Sequence, residues 1–344
     1  MLHTIQNFVK TILPAKRKTS PKGWTSFNGV CCVHNGETAD KRGRAGVITN
    51  ADGSVSYSCF NCHFKASYQP GRHLTFKFRK LLRWLGADDI EIKRLVIEAI
   101  RVKDIISPED LLPQEPAEKI EFKKRTLPDD AKSFDELVTF HTLDNWRNAE
   151  QFENAVKYCY NRKINTGKYK FYLSNSRAHN LNQRVIIPCY WNNELIGYTA
   201  RAINDNVSPK YHNNYELNFV FNIDAQQTNW KFVIVSEGPF DAMAIDGVAV
   251  LHNEITEEQA DIIDSLGREV IVVPDADKSG SQLVEDALKY GWNVSFPIWQ
   301  DKDKCKDISK AVELYGKLFV LQAIISATET NKLKIELLRK RKYN

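Results

Sequence analysis

Between residues 74 and 101 the chain reads LTFKFRKLLRWLGADDIEIKRLVIEAIR. Its apolar positions recur at helical spacing with a break at Gly86, which predicts two short helices with Lys and Arg on the outer face. Residues 1 to about 70 are polar and basic, with few long apolar periods. From about residue 130 short apolar runs alternate with helical ones. RVIIPCYW, LIGYTARAI, FVIVSE, EVIVVPD and WNVSFPIW read as strands; EEQADIIDSLG, SGSQLVEDALKYG and ISKAVELYGKLFVLQAI read as helices. Such alternation predicts an α/β domain with a largely parallel sheet. ISPEDLLPQEPAEKIEFKKRTLPDD, with its four prolines and many charges, reads as a linker.

Charge changes the picture more than composition does. Net charge is only +5, but residues 1–83 hold fourteen Lys and Arg against three acids, Glu37, Asp40 and Asp52. A basic front joined to an acidic remainder suggests a polyanion-binding arm beside something that handles cations. No apolar run approaches the roughly 18 residues a membrane span needs, and residues 1–15 lack a signal-peptide pattern. The expectation is a soluble, cytoplasmic protein with no membrane partner.

Seven cysteines occur, and four crowd into residues 31–62. Without a secretion signal, clustered cysteines favour metal over disulfides. Cys31-x-x-His34 and Cys59-x-x-Cys62 are separated by 24 residues, and VITNADGSVSYS between them reads as a hairpin around Asp52-Gly53. That pattern suits one structural Zn²⁺ in a zinc ribbon. Cys32 and His63 lie beside the favoured pairs, but the matching spacings select Cys31, His34, Cys59 and Cys62. Cys159, Cys189 and Cys305 are scattered and read as small apolar residues. Lys41, Arg42, Arg44, Lys65, Arg72, Lys77, Arg79 and Lys80 interleave with Tyr57, Phe60, Phe64, Tyr68, Phe76 and Phe78. Cations that follow phosphates and aromatics that stack on unpaired bases point to single-stranded nucleic acid. The same aromatics would equally serve as the core of a small module.

Two apolar runs end in acids. FVIVSEGPFDAMAI ends its strand at Glu237, with Asp241 one turn into a helix, and IVVPDADKSG ends in Asp275 and Asp277. Parallel strands would bring these carboxylates to one sheet edge. There they would repel one another unless a divalent cation intervened, and hard oxygen ligands select Mg²⁺ or Mn²⁺. Such ions assist displacement at phosphorus. The competing reading has the acids capping the following helices. A third acidic turn, QDKDKCKDISKAV, adds Asp301, Asp303, Lys306 and Asp307, the last a candidate N-cap.

These residues carry a resemblance. EGPFDA followed by DADKSG resembles the Toprim signatures Glu-Gly-x-x-Asp and Asp-x-Asp-x-x-Gly, shared by bacterial-type primases, topoisomerases and some nucleases. CCVHNGET with SCFNC is similar to the zinc-binding motifs of bacterial-type DNA primases. QRVIIPCYWNNELIGYTARAINDNVSPKYHN resembles their amino-terminal catalytic subdomain, through Arg184, Arg201, Lys210, Tyr211 and Asn213. The order, without a helicase, most resembles the stand-alone primase subunits of T-even-like tailed phages. The resemblance implies a zinc-ribbon DNA-binding module (1–72), a helical segment and linker (73–128), and a basic α+β subdomain (129–228). A Toprim domain (229–325) and a basic tail (326–344) would follow. It implies synthesis of RNA primers from ribonucleoside triphosphates on single-stranded DNA, beside a separate hexameric helicase. Glu237, Asp275 and Asp277 would bind the catalytic metals with Asp241 and Asp307 in support, while Arg184, Arg201 and Lys210 handle phosphates. Two other readings remain: a Toprim enzyme that cleaves DNA, and a non-catalytic zinc-ribbon adaptor. Only about 30 residues follow the Toprim block, too few for a topoisomerase's nucleophilic domain.

Overall fold

Ile5 and Val9, one helical turn apart, bury one side of a helix that opens the chain, α1 (Thr4–Ile12). In this computed structural model the described residues are 2–106, 120–139, 149–176, 180–204, 206–226, 230–277, 280–299 and 305–343. Asp301 and Asp303 lie outside them, as do Lys278, Ser279 and most of the expected linker. Two compact units emerge, one of residues 1–120 with 260–269, the other of 121–259 with 270–344.

In the first unit β1 (Lys18–Thr19), β2 (Thr25–Phe27), β3 (Ala45–Thr49), β4 (Val55–Cys59) and β5 (Lys65–Tyr68) form one sheet in chain order. Every pairing in it is antiparallel. The expected hairpin is β3–β4, and alternate residues Val55, Tyr57 and Cys59 face the core. Two helices follow, α2 (Phe76–Trp84) and α3 (Asp89–Ile105), parted at Gly86 as their spacing predicts. Asp88 and Glu91 exchange hydrogen bonds in a capping box that starts α3.

The second unit begins with β6 (Lys132–Ser133), α4 (Phe134–Thr139), α5 (Ala149–Asn161) and β7 (Tyr172–Leu173). Then come β8 (Arg184–Trp191), β9 (Glu194–Ala202) and β10 (Tyr211–Asn214). These strands pair antiparallel in the order β10-β9-β8-β7-β6. The two residues joining β8 to β9, Asn192 and Asn193, both have positive φ, 52° and 62°. A turn of that kind folds a strand straight back on its neighbour, so the parallel arrangement expected from about residue 130 starts only later.

It starts with β11 (Phe232–Ser236), α6 (Pro239–Ile245), β12 (Val248–Ala249), α7 (Glu257–Ser265) and β13 (Glu269–Val272). α8 (Gly280–Tyr290), β14 (Asn293–Ser295), α9 (Ile308–Tyr315), α10 (Lys317–Ser326), β15 (Thr328–Glu329) and α11 (Lys332–Tyr343) complete the chain. The strand order is β12-β11-β13-β14-β15. β11–β12 and β13–β14 pair parallel, and β15 joins antiparallel. The long helix expected over ISKAVELYGKLFVLQAI is two, because Gly316 stands at φ 82°, a left-handed conformation that ends α9 and lets α10 start anew. The basic tail is helical too. Among the described residues no helix is long and apolar enough to cross a membrane.

Candidate active site and metal centre

The apolar run FVIVS makes β11 a buried strand, and the chain leaves it at Glu237. Gly238 caps α6, with Pro239 opening the helix, where a missing N–H costs nothing. A Cβ on Gly238 would sit 2.8 Å from Asp241 Oδ2, so glycine is what lets that carboxylate reach back toward the strand end. Val273 N–H donates to the Val235 carbonyl at 2.9 Å, which holds the exit of β13 beside β11. Asp275 N–H then reaches Glu237 Oε1 at 3.4 Å.

Asp241 is buried, and its Oδ1 accepts the Ser309 N–H at 2.7 Å, tying α6 to the first turn of α9. Asp307 accepts the Lys310 N–H at 2.7 Å and so N-caps α9, the role its position in the sequence allowed. Both carboxylates also line a cavity of about 320 Å³ that contains Glu237, Asp275 and Asp277. Burial pushes Asp241 up to about 7, with the charge of Asp307 adding to it. Burial raises Asp275 further, to about 9, and Asp241, Glu237, Asp307 and Asp277 all push the same way. Crowded acids disfavour one another's charged forms, which a bound cation would relieve.

The lining is also basic. Arg201 from β9 and Lys210, just before β10, both line the cavity. The Arg201 guanidinium lies over the Tyr211 ring at 4.8 Å, and its buried Nε has no hydrogen-bond partner among the described residues. Lys210 is exposed. Arg184 has another part. It is fully buried, and its guanidinium donates to the carbonyls of Asn180 (2.9 Å), Pro209 (2.5 Å), Lys210 (3.3 Å) and Ala200 (3.4 Å). Arg184 is therefore not among the described residues that line the cavity; it fixes the backbone that presents Lys210. The expectation that it handles phosphate meets a side chain with four of its five N–H groups already given to carbonyls.

In the first unit the sulfurs of Cys31, Cys32, Cys59 and Cys62 lie within 4.8 Å of one another. Cys31 and Cys62 are 3.2 Å apart and Cys32 and Cys59 3.5 Å. Four thiolates around zinc, at Zn–S of about 2.3 Å, would stand about 3.8 Å apart, so this donor set fits. His34, expected as the fourth ligand, is exposed and stacks on Trp84 with ring centroids 4.8 Å apart. The reason is local: Cys32 opens a single 3₁₀ turn (Cys32–Asn35) with its side chain buried, and that turn carries His34 outward. Of the interleaved aromatics, Tyr57, Phe64, Tyr68, Phe76 and Phe78 belong to the core, and Phe60 is 68% exposed.

No family model matches this chain, and neither does any curated protein. Solved structures similar to it include DnaG-type primase cores. One, the DnaG primase catalytic domain bound to ssDNA, is 18% identical, with a TM-score of 0.45 over 60% of this chain and 81% of that one. The zinc-binding and RNA polymerase domains of the Aquifex aeolicus primase are 16% identical, at 0.44 over 99% and 89%. The E. coli primase catalytic core is 20% identical, at 0.39 over 61% and 69%.

Sequence reasoning missed Arg162 and His252, which also line the cavity. Arg162 donates to Ser309 Oγ at 2.8 Å and lies over Tyr158 at 4.7 Å. No motif surrounds it. Its one signal is the apolar spacing of α5, which ends at Asn161.

Proposed function

We propose that this protein is a DNA primase of the Toprim kind, making short RNA primers from ribonucleoside triphosphates on single-stranded DNA. One observation carries the reading: Glu237, Asp275 and Asp277 meet Arg201 and Lys210 in a single cavity of about 320 Å³. Capping alone does not need three carboxylates and two cations facing one space. Glu237, Asp275 and Asp277 would hold Mg²⁺ or Mn²⁺, with Asp241 and Asp307 behind them. When bound, such a metal neutralises phosphate charge and favours attack by a 3′ oxygen at phosphorus.

The chain's own residues do the rest. Arg201 and Lys210 neutralise the triphosphate from the same cavity's lining, and Tyr211 holds the guanidinium plane. Arg184 keeps the Lys210 backbone in place, and Asp241 fixes α9 so that Asp307 faces the same space. Cys31, Cys32, Cys59 and Cys62 would hold a structural Zn²⁺ that rigidifies the basic module for template binding. On this reading the chain works in the cytoplasm as a stand-alone primase subunit of the T-even phage kind, beside a separate helicase.

The test is direct. Protein, single-stranded template, labelled ribonucleotides and Mg²⁺ should give short RNA products. Asp277→Asn keeps size and capping capacity and removes charge, so synthesis should fall by about a hundredfold or more. Wild-type rates from that variant would sink the proposal.

A further inference from the structure

A second cavity, of about 460 Å³, shares Asp275 and Asp307 with the first. That is the volume of a small-molecule site. Its walls differ from those of the first. Phe296 and Trp299, which follow β14, and Leu338 from α11 give it an aromatic and apolar side. Lys306, Arg341 and Lys342 give it three cations, against the two shared carboxylates. Lys342 also feels the negative charges of Asp275, Asp277 and Glu237. Lys342 Nζ lies 5.7 Å from the centre of the Phe296 ring, so charge and aromatic face are adjacent.

The cations on α11 are held, not loosely offered. Arg339, one turn before Tyr343, pairs with Glu285 on α8 and donates to Glu336 at 3.0 Å and to Ser281 Oγ at 3.4 Å. The Tyr343 hydroxyl donates to the Asp275 carbonyl at 2.7 Å. The first contact pins the helix to α8, and the second pins it to the segment that carries Asp275 and Asp277. Arg341 and Lys342 are thereby aimed at a fixed place.

We propose that this second cavity binds a nucleotide, with the base against Phe296, backed by Trp299, and the phosphates on Lys306, Arg341 and Lys342. Flat aromatic faces accept a base, and a guanidinium fork with two ammonium groups matches phosphate oxygens. Binding here needs no divalent ion, because cations already stand where the phosphates go. In the first cavity five carboxylates face a triphosphate, and binding there needs metal. The cavities share Asp275 and Asp307, but only the first calls for metal, so the two readings are separable by chelation.

The experiment is calorimetric titration of the full chain with ATP in EDTA. Wild type should bind. Arg341→Ala with Lys342→Ala, exposed positions on a helix where alanine is well tolerated, should weaken binding at least tenfold with melting unchanged. Lys306→Ala should weaken it as a separate variant, while Asp277→Asn should bind within about twofold of wild type. The inference is overturned if ATP does not bind in EDTA, or if the double variant binds like wild type. It is also overturned if inorganic tripolyphosphate competes as well as ATP, since the base would then contribute nothing. Loss of primer synthesis in Asp277→Asn reads out the first cavity alone.

Discussion

Asp275 titrates far from the usual carboxylate range because burial and four acidic neighbours oppose its charge. In the unfolded chain it would lose its proton near 3.8; in the native state it keeps it up to about 9. Its folded-state value is raised, so the unfolded state sheds a proton first, and stability drains away as pH climbs from about 4 to about 9. Asp241, raised to about 7 by the same causes, adds to that slope. Asp275→Asn should therefore melt higher than wild type in EDTA at pH 8, by about 3 °C or more, and match it near pH 4. Mg²⁺ should stabilise the wild type and leave the variant unmoved. A melting curve for the variant that follows the wild type at every pH would mean Asp275 is an ordinary exposed acid. Arg184 makes the opposite case. Arg184→Met would strip hydrogen bonds from the carbonyls of Asn180, Pro209 and Lys210, with an expected cost of about 3 kcal/mol in denaturant unfolding. A phosphate-handling Arg184 would instead lose activity and keep its stability.

At the scale of elements, the four-cysteine cluster shows how one turn can redirect a motif. Cys31 and His34 match the spacing of Cys59 and Cys62, yet the 3₁₀ turn from Cys32 to Asn35 places Cys32 inside and His34 outside. Cys32→Ser should release bound zinc, whereas His34→Ala should keep it; metal analysis of the purified variants decides. Zinc retained by Cys32→Ser and lost by His34→Ala would restore the spacing-based set. Gly316 works in the same way on the C-terminal helices. The apolar spacing on either side is continuous, but a left-handed residue divides the run. α1 went unread for the contrary reason. Its Ile5, Phe8, Val9 and Ile12 do repeat at helical spacing, but the run is short and sits in a basic segment.

Over the whole molecule, charge is segregated by sequence: the basic excess lies in residues 1–83, and the acids collect toward the remainder. If the first unit holds single-stranded DNA, most of its aromatics cannot stack on bases, because they fill its own core. Phe60 is 68% exposed, edge-on to Trp24 with ring centroids 6.2 Å apart. Phe60→Ala should cost about 1–3 kcal/mol in single-stranded DNA affinity and leave zinc content and melting unchanged. Undiminished binding would leave phosphate contacts as the whole of the interaction.

The sequence by itself determined the local facts. β-Branched runs specified β8, β11 and β13, and the residues that end β11 and β13 named the acidic set in advance, because strand period and burial are written into adjacent positions. Cysteine clustering likewise announced a group of sulfurs close enough to share one ion. Tertiary structure decided what depends on neighbours distant in the chain. Arg184 looked like a phosphate ligand until four carbonyls were folded around it. Arg162 gained a role only when α5 met α9 through Ser309. α11, read as a basic tail, became the wall of a cavity once Tyr343 reached Asp275. Each of those outcomes rests on a hydrogen bond or a shared space between segments that no local pattern records.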